Sequence, residues 1–215
     1  MRVISLFLIG AMVFSCKGEK KYHDEPRSVS VTDSIGALAA IRAFQDDMNE
    51  EFKNPETSPL PDRYRKDFES LDFFEADTTY QIRARLERTP ESIPFLMPTT
   101  TERTSKERVY GIVRFQLKGK AFELEVYQNE ALMQEEGYAD YLFLPFTDIT
   151  NGELTYGGGR YLDLRIPEGD VIVLDFNRAY NPYCAYNKKY SCPLVPAKNH
   201  VDLPVRAGVR AFKGQ

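Results

Sequence analysis

Apolar residues recur at three- and four-residue steps in one stretch near the start of the folded part of the chain. Five apolar side chains keep this spacing: Leu38, Ile41, Phe44, Met48 and Phe52. Charged and amide side chains fall between them, so the apolar residues share one face of an α-helix, and Asp33 can cap its first turn. The pattern therefore predicts an amphipathic helix that ends near Asn54-Pro55.

From Leu71 onward the period changes to short, β-rich segments separated by turn residues. Seven segments are predicted strands: Tyr80–Leu86, Val109–Leu117, Ala121–Tyr127, Tyr141–Phe146, Arg160–Ile166, Val171–Phe176 and Leu203–Arg206. Lys118-Gly119, Asn151-Gly152 and Pro167–Asp170 supply turns between them. We therefore predict a mainly β fold of the α+β class, a small antiparallel barrel or sandwich with the N-terminal helix packed on it.

The N-terminus has the pattern of a secretory signal. Met1-Arg2 is followed by an apolar run from Val3 to Phe14, which is too short to span about 30 Å of hydrocarbon permanently. Val13–Cys16 resembles the bacterial lipobox, so we expect residues 1–15 to be removed as a lipoprotein signal peptide and Cys16 to be lipidated. An ordinary signal peptide that contains a cysteine is the alternative.

The residues after Cys16 indicate a tether and a location. Lys17–Ser30 mixes charges with Pro26 and has no apolar period, so residues 16–32 are expected to be flexible and residues 33–215 to form a single globular domain. Lys17 occupies the position directly after Cys16, where an Asp would favour retention in the inner membrane. We expect a protein anchored by its lipid in the outer membrane and facing the periplasm, with its oligomeric state left open.

Charge narrows the classes of function. A net charge of −4 argues against a nucleic-acid binder with a broad basic surface, and 42% hydrophobic content argues against a polytopic membrane protein. The charge is uneven, however, because residues 141–215 carry nine basic and seven acidic side chains. A local preference for an anionic group is therefore expected in this last third.

One predicted turn brings two charged residues together. If Pro167–Asp170 joins its flanking strands as a hairpin, Arg160 and Asp175 become diagonal neighbours at the end of an apolar face. An unpaired carboxylate would be costly there, so the register predicts an ion pair. The pair is either structural or, with Gly157–Gly159 before it, part of a site for a carboxylate or phosphate.

A long loop rich in Asn, Tyr and Pro follows Asp175. Such a loop needs hydrogen bonds from its own side chains to become ordered, and ordered long loops often carry function. A small polar or anionic ligand is the expected partner. The candidate ligand-binding residues are Arg160, Tyr161, Asp175, Asn177, Tyr180 and Asn181.

Two cysteines lie in the same loop. Cys184 and Cys192 are separated by seven residues and could form a disulfide in an oxidising compartment. Buried thiols and a reactive Cys184 are the alternatives, and His200 is the one base candidate in the domain because His23 lies in the tether. The cysteine and histidine spacing does not suit zinc, so we expect no metal and no other cofactor.

Three long motifs carry a resemblance to a known family. They are YLFLPFTDITNGELTYGGGRYLDL at Tyr141–Leu164, LDFNRAYNPYCAY at Leu174–Tyr186 and SCPLVP at Ser191–Pro196. The chain resembles the family called domain of unknown function 1684, over roughly residues 40–210. This resemblance implies one domain that includes both the helix and the β region, and it implies no assigned activity.

The family's motif positions map onto the polar residues of the C-terminal half. They fall on Asp148, Thr150, Gly152, Thr155, Tyr156, Gly159, Arg160, Tyr161, Asp175, Asn177, Tyr180, Asn181, Pro182, Cys184, Cys192, Pro193, Pro196 and Asn199. Family members commonly carry Gly-Glu after the last strand, whereas this chain has Gly208-Val209-Arg210. If that acid served a shared site, its role is lost here or supplied elsewhere.

Three functions are consistent with these observations. The first is a lipid-anchored binding module that holds a small polar or anionic ligand. The second is an envelope assembly or interaction protein in which the polar cluster is purely structural. The third is a hydrolase-like enzyme that uses Asp175 or Cys184, and it ranks last because the sequence shows no nucleophile with a base and an orienting group.

Overall fold

A computed structural model describes residues 34–214. The predicted signal peptide, the lipidation site at Cys16, the tether and the Asp33 cap all lie outside the described residues. Within this part of the chain, no helix has the length and apolar content needed to cross a membrane.

The predicted amphipathic helix is present as α1, Ser34–Lys53. Ile41, Met48 and Phe52 are almost completely buried, as the three- and four-residue spacing requires. Their side of the helix packs toward the C-terminal loop, where the rings of Phe52 and Tyr186 meet edge to face at 4.8 Å between centroids. A short second helix, α2, spans Asp62–Arg65.

A curled antiparallel half-barrel follows, and its eight strands in the described chain confirm the mainly β prediction. The strands are β1 Gln81–Arg88, β2 Phe95–Pro98, β3 Thr104–Leu117, β4 Lys120–Asn129, β5 Tyr141–Asp148, β6 Arg160–Arg165, β7 Val171–Asp175 and β8 His200–Val201. Their order across the sheet is β6-β5-β4-β3-β1-β7, with β2 added to β3 and β8 added to β5. Lys118 and Gly119 both have positive φ and form the predicted two-residue turn between β3 and β4.

Both faces of the central strand β5 are buried. Leu142 and Leu144 point into the main core inside the curl, whereas Tyr141 and Phe143 point to a second, aromatic cluster on the other face. The C-terminal loop covers that second face and contributes Cys184 and other side chains to the aromatic cluster. The loop is therefore part of the packed interior.

The predicted hairpin between Arg160–Ile166 and Val171–Phe176 is wrong. β6 pairs with β5, with Leu164 opposite Leu142, and β7 pairs with β1, with Ile172 opposite Ala84. The two strands lie at opposite ends of the sheet order, and the Pro167–Asp170 turn joins those ends where the sheet curls. Alternation along a strand shows which face a residue takes, but it does not show which strand is the neighbour.

Two smaller differences concern edge segments. The structure shows strand β8 at His200–Val201 in place of the predicted Leu203–Arg206, and the backbone at 205–207 is hydrogen-bonded to buried side chains. Strand β2, Phe95–Pro98, was not predicted, because its proline and exposed apolar residues do not alternate with a clear period of two.

We expect Gly208→Ala to destabilise the fold. Gly208 has a φ of +78°, and an added Cβ would lie 2.8 Å from the Phe176 carbonyl oxygen and still closer to that of Ala179. The left-handed conformation alone costs about 1–2 kcal/mol for a non-glycine residue, and the overpacking adds about 1–3 kcal/mol. Urea unfolding monitored by circular dichroism would measure the loss.

Gly137→Ala is the matched control for this substitution. Gly137 also has a positive φ, +81°, but an added Cβ meets nothing within 4 Å. Its loss of unfolding free energy should therefore reflect conformation alone. Equal losses for the two variants would show that the close approach at Gly208 does not matter.

Candidate functional site

Arg160, the first residue of β6, is fully buried and binds other parts of the same chain. Its Nη2 donates to Asp148 Oδ2 at 2.9 Å and to the Val205 carbonyl at 2.8 Å, and Nη1 donates to the Ala207 carbonyl. Burial lowers the pKa of the guanidinium, and the adjacent Asp148 carboxylate opposes that shift. The predicted Arg160–Asp175 pair is therefore wrong, because β5 supplies the carboxylate.

Asp148 is occupied by donors from its own chain. Its Oδ1 accepts hydrogen bonds from the Thr150 backbone at 2.9 Å, the Thr150 hydroxyl at 2.7 Å and the Val205 backbone at 3.1 Å. Its side chain and that of Arg160 are both completely buried. An external anion would have to break these bonds to reach Arg160. The Arg160–Asp148 pair therefore has a structural role.

Asp175 and Asn177 form a second internal cluster at the end of β7. Asp175 Oδ1 accepts from the Asn177 backbone at 3.0 Å and from its Nδ2 at 2.8 Å. Asn177 also exchanges two hydrogen bonds with the backbone of Asp77, at 3.0 and 2.9 Å. Burial raises the pKa of Asp175 despite the hydrogen bonds that oppose it. These contacts join the chain before β1 to the end of β7.

Two candidate tyrosines hold the loop against the sheet. Tyr161 donates its hydroxyl to the Pro193 carbonyl. Tyr180 donates to Asp163 Oδ1 at 2.7 Å, and Tyr141 donates to the same oxygen at 2.7 Å. Burial raises the pKa of Tyr161 and Tyr180 well above the ordinary value, so both remain neutral donors.

Asn181 completes the set of six candidates. Its Nδ2 donates to the Arg210 carbonyl at 2.9 Å and to the Tyr186 hydroxyl at 3.2 Å. Its Oδ1 is buried and has no hydrogen-bond partner within residues 34–214. The six side chains are thus divided among several contacts within the loop and between the loop and the sheet.

Cys184 and Cys192 lie next to each other as buried free thiols. The Cys184 backbone donates to Cys192 Sγ at 3.2 Å, and the Tyr156 hydroxyl lies 3.9 Å from Cys184 Sγ. His200 makes its hydrogen bond elsewhere, between its Nδ1 and the Thr147 hydroxyl at 3.0 Å. The structure therefore brings the two sulfurs together but gives Cys184 no hydrogen bond to this imidazole; the disulfide itself stays a prediction.

Glu107 on β3 is a buried acid that the sequence did not single out. Its Oε1 accepts from Ser105 Oγ at 2.7 Å and from Asn129 Nδ2 at 2.8 Å, while Oε2 has no partner in the described chain. Burial raises the pKa of this carboxyl. A protonated Oε2 would remove the cost of an unpaired buried charge. The alternation of apolar and polar residues in β3 did not reveal Glu107 as a buried acid. In the sequence, an acidic residue at an inward-facing position has the same appearance as a polar residue of an exposed edge.

A groove opens where β1 and β3 separate. Their ladder runs from Arg88–Gly111 to Arg85–Arg114, and the described chain has no β1–β3 pair beyond that point. The resulting groove has a volume of about 620 Å³. Ile82, Phe115 and Phe122 line it together with Arg83, Arg85 and Arg114. Sequence periodicity places the arginines on the polar face of their strands, but only strand pairing shows that they meet.

The described residues contain no group of three or more His, Cys, Asp and Glu side chains arranged to hold a metal ion.

Comparisons with known proteins agree with the motif resemblance. A family model described as "Protein of unknown function (DUF1684)" matches residues 66–210. No curated protein matches the chain. An uncharacterized protein of Haloarcula marismortui, solved by solution NMR, is 32% identical with a TM-score of 0.65, over 82% of this chain and 95% of that one. The chain belongs to the DUF1684 family of proteins of unknown function.

Proposed function

We propose that this protein is a lipid-anchored envelope protein that binds a small amphipathic anion in the groove between β1 and β3. The observation that carries the proposal is the combination of an apolar floor and an arginine-rich rim where the strands part. The sequence suggested that Arg160 binds the anion, whereas this proposal places the anion at the solvent-facing groove. The ligand class is a carboxylate or phosphate monoester with an apolar chain.

The floor of the groove is continuous with the hydrophobic core. Ile82 and Phe122 are partly buried and pack against the main core, and Phe115 is 5% exposed. The Phe115 ring lies 5.7 Å from that of Phe122 and 5.9 Å from that of Phe176, between centroids. An apolar chain in the groove would replace water next to these rings, which favours binding in proportion to the area covered.

The arginine side chains at the rim of the groove leave positive charge on the side that β1 forms. Arg85 and Arg114 lie directly opposite each other in the ladder, an arrangement that like charges make unfavourable. Arg114 is neutralised by Glu87 and by Glu123, the latter at 3.4 Å from Nε. Within residues 34–214, the one ion pair of Arg85 is a distant contact of 4.0 Å with Asp170, between two exposed side chains.

Arg83 adds a second available cation. Its side chain is exposed, and no ion pair or hydrogen bond of its guanidinium occurs in the part of the chain that the structure describes. Arg83 and Arg85 lie two residues apart and therefore on the same face of β1. Together they offer two forked donors to a carboxylate or phosphate. A volume of about 620 Å³ is within the range of small-molecule sites.

The envelope location is supported by the N-terminal sequence. The apolar run Val3–Phe14 and the lipobox-like Val13–Cys16 indicate processing and lipidation at Cys16. The segment 17–33 would then connect the acyl chains to α1, so the groove would be near a membrane surface without the domain entering it. An amphipathic anion is a ligand expected in that setting.

The interaction protein is the second candidate, favoured by a specific observation. The polar signature is engaged within the protein, as the bonds of Arg160 to Asp148 and to the C-terminal carbonyls illustrate. The hydrolase alternative has weaker support. Asp175 is buried and hydrogen-bonded to Asn177, and Cys184 has no hydrogen bond with His200 in the described structure.

Binding of dodecanoate should depend on the two available arginines. We expect the double variant Arg83→Gln/Arg85→Gln to weaken binding about tenfold or more, because each charge-assisted hydrogen bond contributes about 1.5–3 kcal/mol. Isothermal titration calorimetry at low salt would measure the dissociation constant. Arg42→Gln is the control, because Arg42 is exposed on α1, away from the groove.

Two further ligands test the chemistry of the groove. Acetate supplies only the anionic head, and dodecyl maltoside supplies only the apolar chain, so both should bind much more weakly than dodecanoate. Equal affinity for dodecanoate and the maltoside, or no effect of the arginine substitutions, would overturn the assignment of an anion site.

Replacing Cys16 should release the protein from the membrane. Without the thiol no acyl chain can be attached, so Cys16→Ser should move the protein from the membrane fraction to the soluble fraction. Lys17→Asp is the companion variant, and it should keep the lipid and shift the protein to the inner membrane. Fractionation followed by immunoblotting would show both changes. Membrane association of Cys16→Ser equal to that of the natural sequence would contradict lipid anchoring.

Arg160→Met should destabilise the fold by about 3–5 kcal/mol, because it leaves the Asp148 carboxylate buried without its partner. Adding Asp148→Asn should recover part of the loss, since the unpaired charge disappears. Chemical denaturation gives the stability, and dodecanoate binding below the unfolding transition should persist. A stable Arg160→Met variant that no longer binds dodecanoate would instead assign the ligand site to the buried cluster.

A further inference from the structure

Cys184 and Cys192 are held together by contacts that do not require a bond between their sulfurs. The Cys192 backbone N–H donates to Thr100 Oγ1 at 3.1 Å, and the Thr100 N–H donates to the Cys192 carbonyl at 2.9 Å. On the other side, Ala185 N–H donates to the Pro182 carbonyl at 2.9 Å and closes the short turn that contains Cys184. Both cysteine backbones are therefore positioned while the thiols are reduced.

The two cysteines are in direct contact. The Cys184 N–H donates to Cys192 Sγ at 3.2 Å. The fold thus brings together two cysteines separated by seven residues in the chain.

The surroundings make the two sulfurs unequal. The Cys192 thiol, as hydrogen-bond donor, lowers the pKa of Cys184 to about 6, and the Tyr156 hydroxyl at 3.9 Å acts in the same direction. The same coupling to Cys184, together with burial, raises the pKa of Cys192. The thiolate of the pair is therefore favoured on Cys184.

The sulfurs lie at the edge of the interior. Cys184 is 9% exposed and Cys192 is 7% exposed. The segment between them carries the exposed side chains of Lys188 and Lys189. The two lysines place positive charge in the segment between the cysteines, which favours an anionic oxidant.

We propose that Cys184 and Cys192 form a reversible thiol–disulfide couple, in which Cys184 reacts first with an external disulfide of the glutathione type and Cys192 resolves the mixed disulfide. This proposal does not depend on the groove or its ligand. The couple would lie within the loop that follows β7, and closing it would fix residues 184–192 against the segment that follows β2.

The exchange balances in two steps. The Cys184 thiolate attacks one sulfur of the external disulfide RSSR. This attack forms the mixed disulfide Cys184–S–S–R and expels RS⁻. The expelled thiolate takes up a proton and becomes RSH. Cys192 then loses its proton and attacks Cys184 Sγ, which forms the Cys184–Cys192 disulfide and expels the second RS⁻. Two thiols of the protein are oxidised, and one external disulfide is reduced to two thiols.

The experiment uses oxidised glutathione and the full chain carrying Cys16→Ser, so that no third thiol is present. After incubation at pH 7 the protein is denatured in acid, labelled with a maleimide and weighed by mass spectrometry. We expect loss of both thiols, with no glutathione retained. Cys192→Ser should retain one glutathione on Cys184, and Cys184→Ser should react with glutathione roughly tenfold more slowly.

Each other result overturns part of the proposal. Two thiols that remain labelled, or glutathione retained on both cysteines, would show that the sulfurs do not form an intramolecular couple. Equal rates for the two single variants, or faster reaction of Cys184→Ser, would overturn the assignment of Cys184 as the first nucleophile. Circular dichroism of each variant confirms that the comparison is made on folded protein.

Discussion

The buried pair of Arg160 and Asp148 is the interaction on which the rest of the structure depends. Placing a guanidinium and a carboxylate in the interior removes both from water, and hydrogen bonds to each offset that cost. β5 and β6 supply the two charges, and carbonyls of the C-terminal segment at 205 and 207 accept from the two terminal nitrogens of Arg160, while its Nε has no partner in the described chain. The sheet and the C-terminal segment therefore have to be formed together.

The same logic explains the loop that precedes that segment. Asn199 is fully buried, and its Nδ2 donates to the Glu125 and Pro145 carbonyls, both at 2.8 Å, while its Oδ1 accepts from the Glu125 N–H at 2.9 Å. An amide side chain can satisfy the backbone of irregular chain in this way. A long polar motif can thus recur in a family because it orders a loop, without any of its residues touching a ligand.

The two places proposed to carry chemistry follow from different features of the fold. The groove exists because β1 pairs with β7 over residues 81–85 and with β3 only from Arg85 to Arg88, which exposes core rings beside surface arginines. The thiol pair exists because the segment after β2 holds Cys192 by two hydrogen bonds through Thr100. The groove therefore lies at a gap in the sheet, and the thiol pair lies within the loop that follows β7. Each site can be altered while the other is left intact.

The sequence by itself determined the local elements and the family. The three- and four-residue spacing gave α1, alternation gave most strands, and Lys118-Gly119 gave the turn between β3 and β4. The motifs in the C-terminal half were enough to indicate the DUF1684 family. These features depend on residues close together in the chain, where backbone geometry and side-chain period act directly.

The tertiary structure decided which elements meet. Arg160 pairs with Asp148 and not with Asp175, because β6 joins β5 while β7 joins β1 at the other end of the curled sheet. Closure of the sheet also decided that the predicted ligand-binding residues are mostly buried and that the arginines of β1 and β3 share one groove. Side-chain alternation records the face of a strand but not its neighbour, and neighbours are selected by the burial of the whole core.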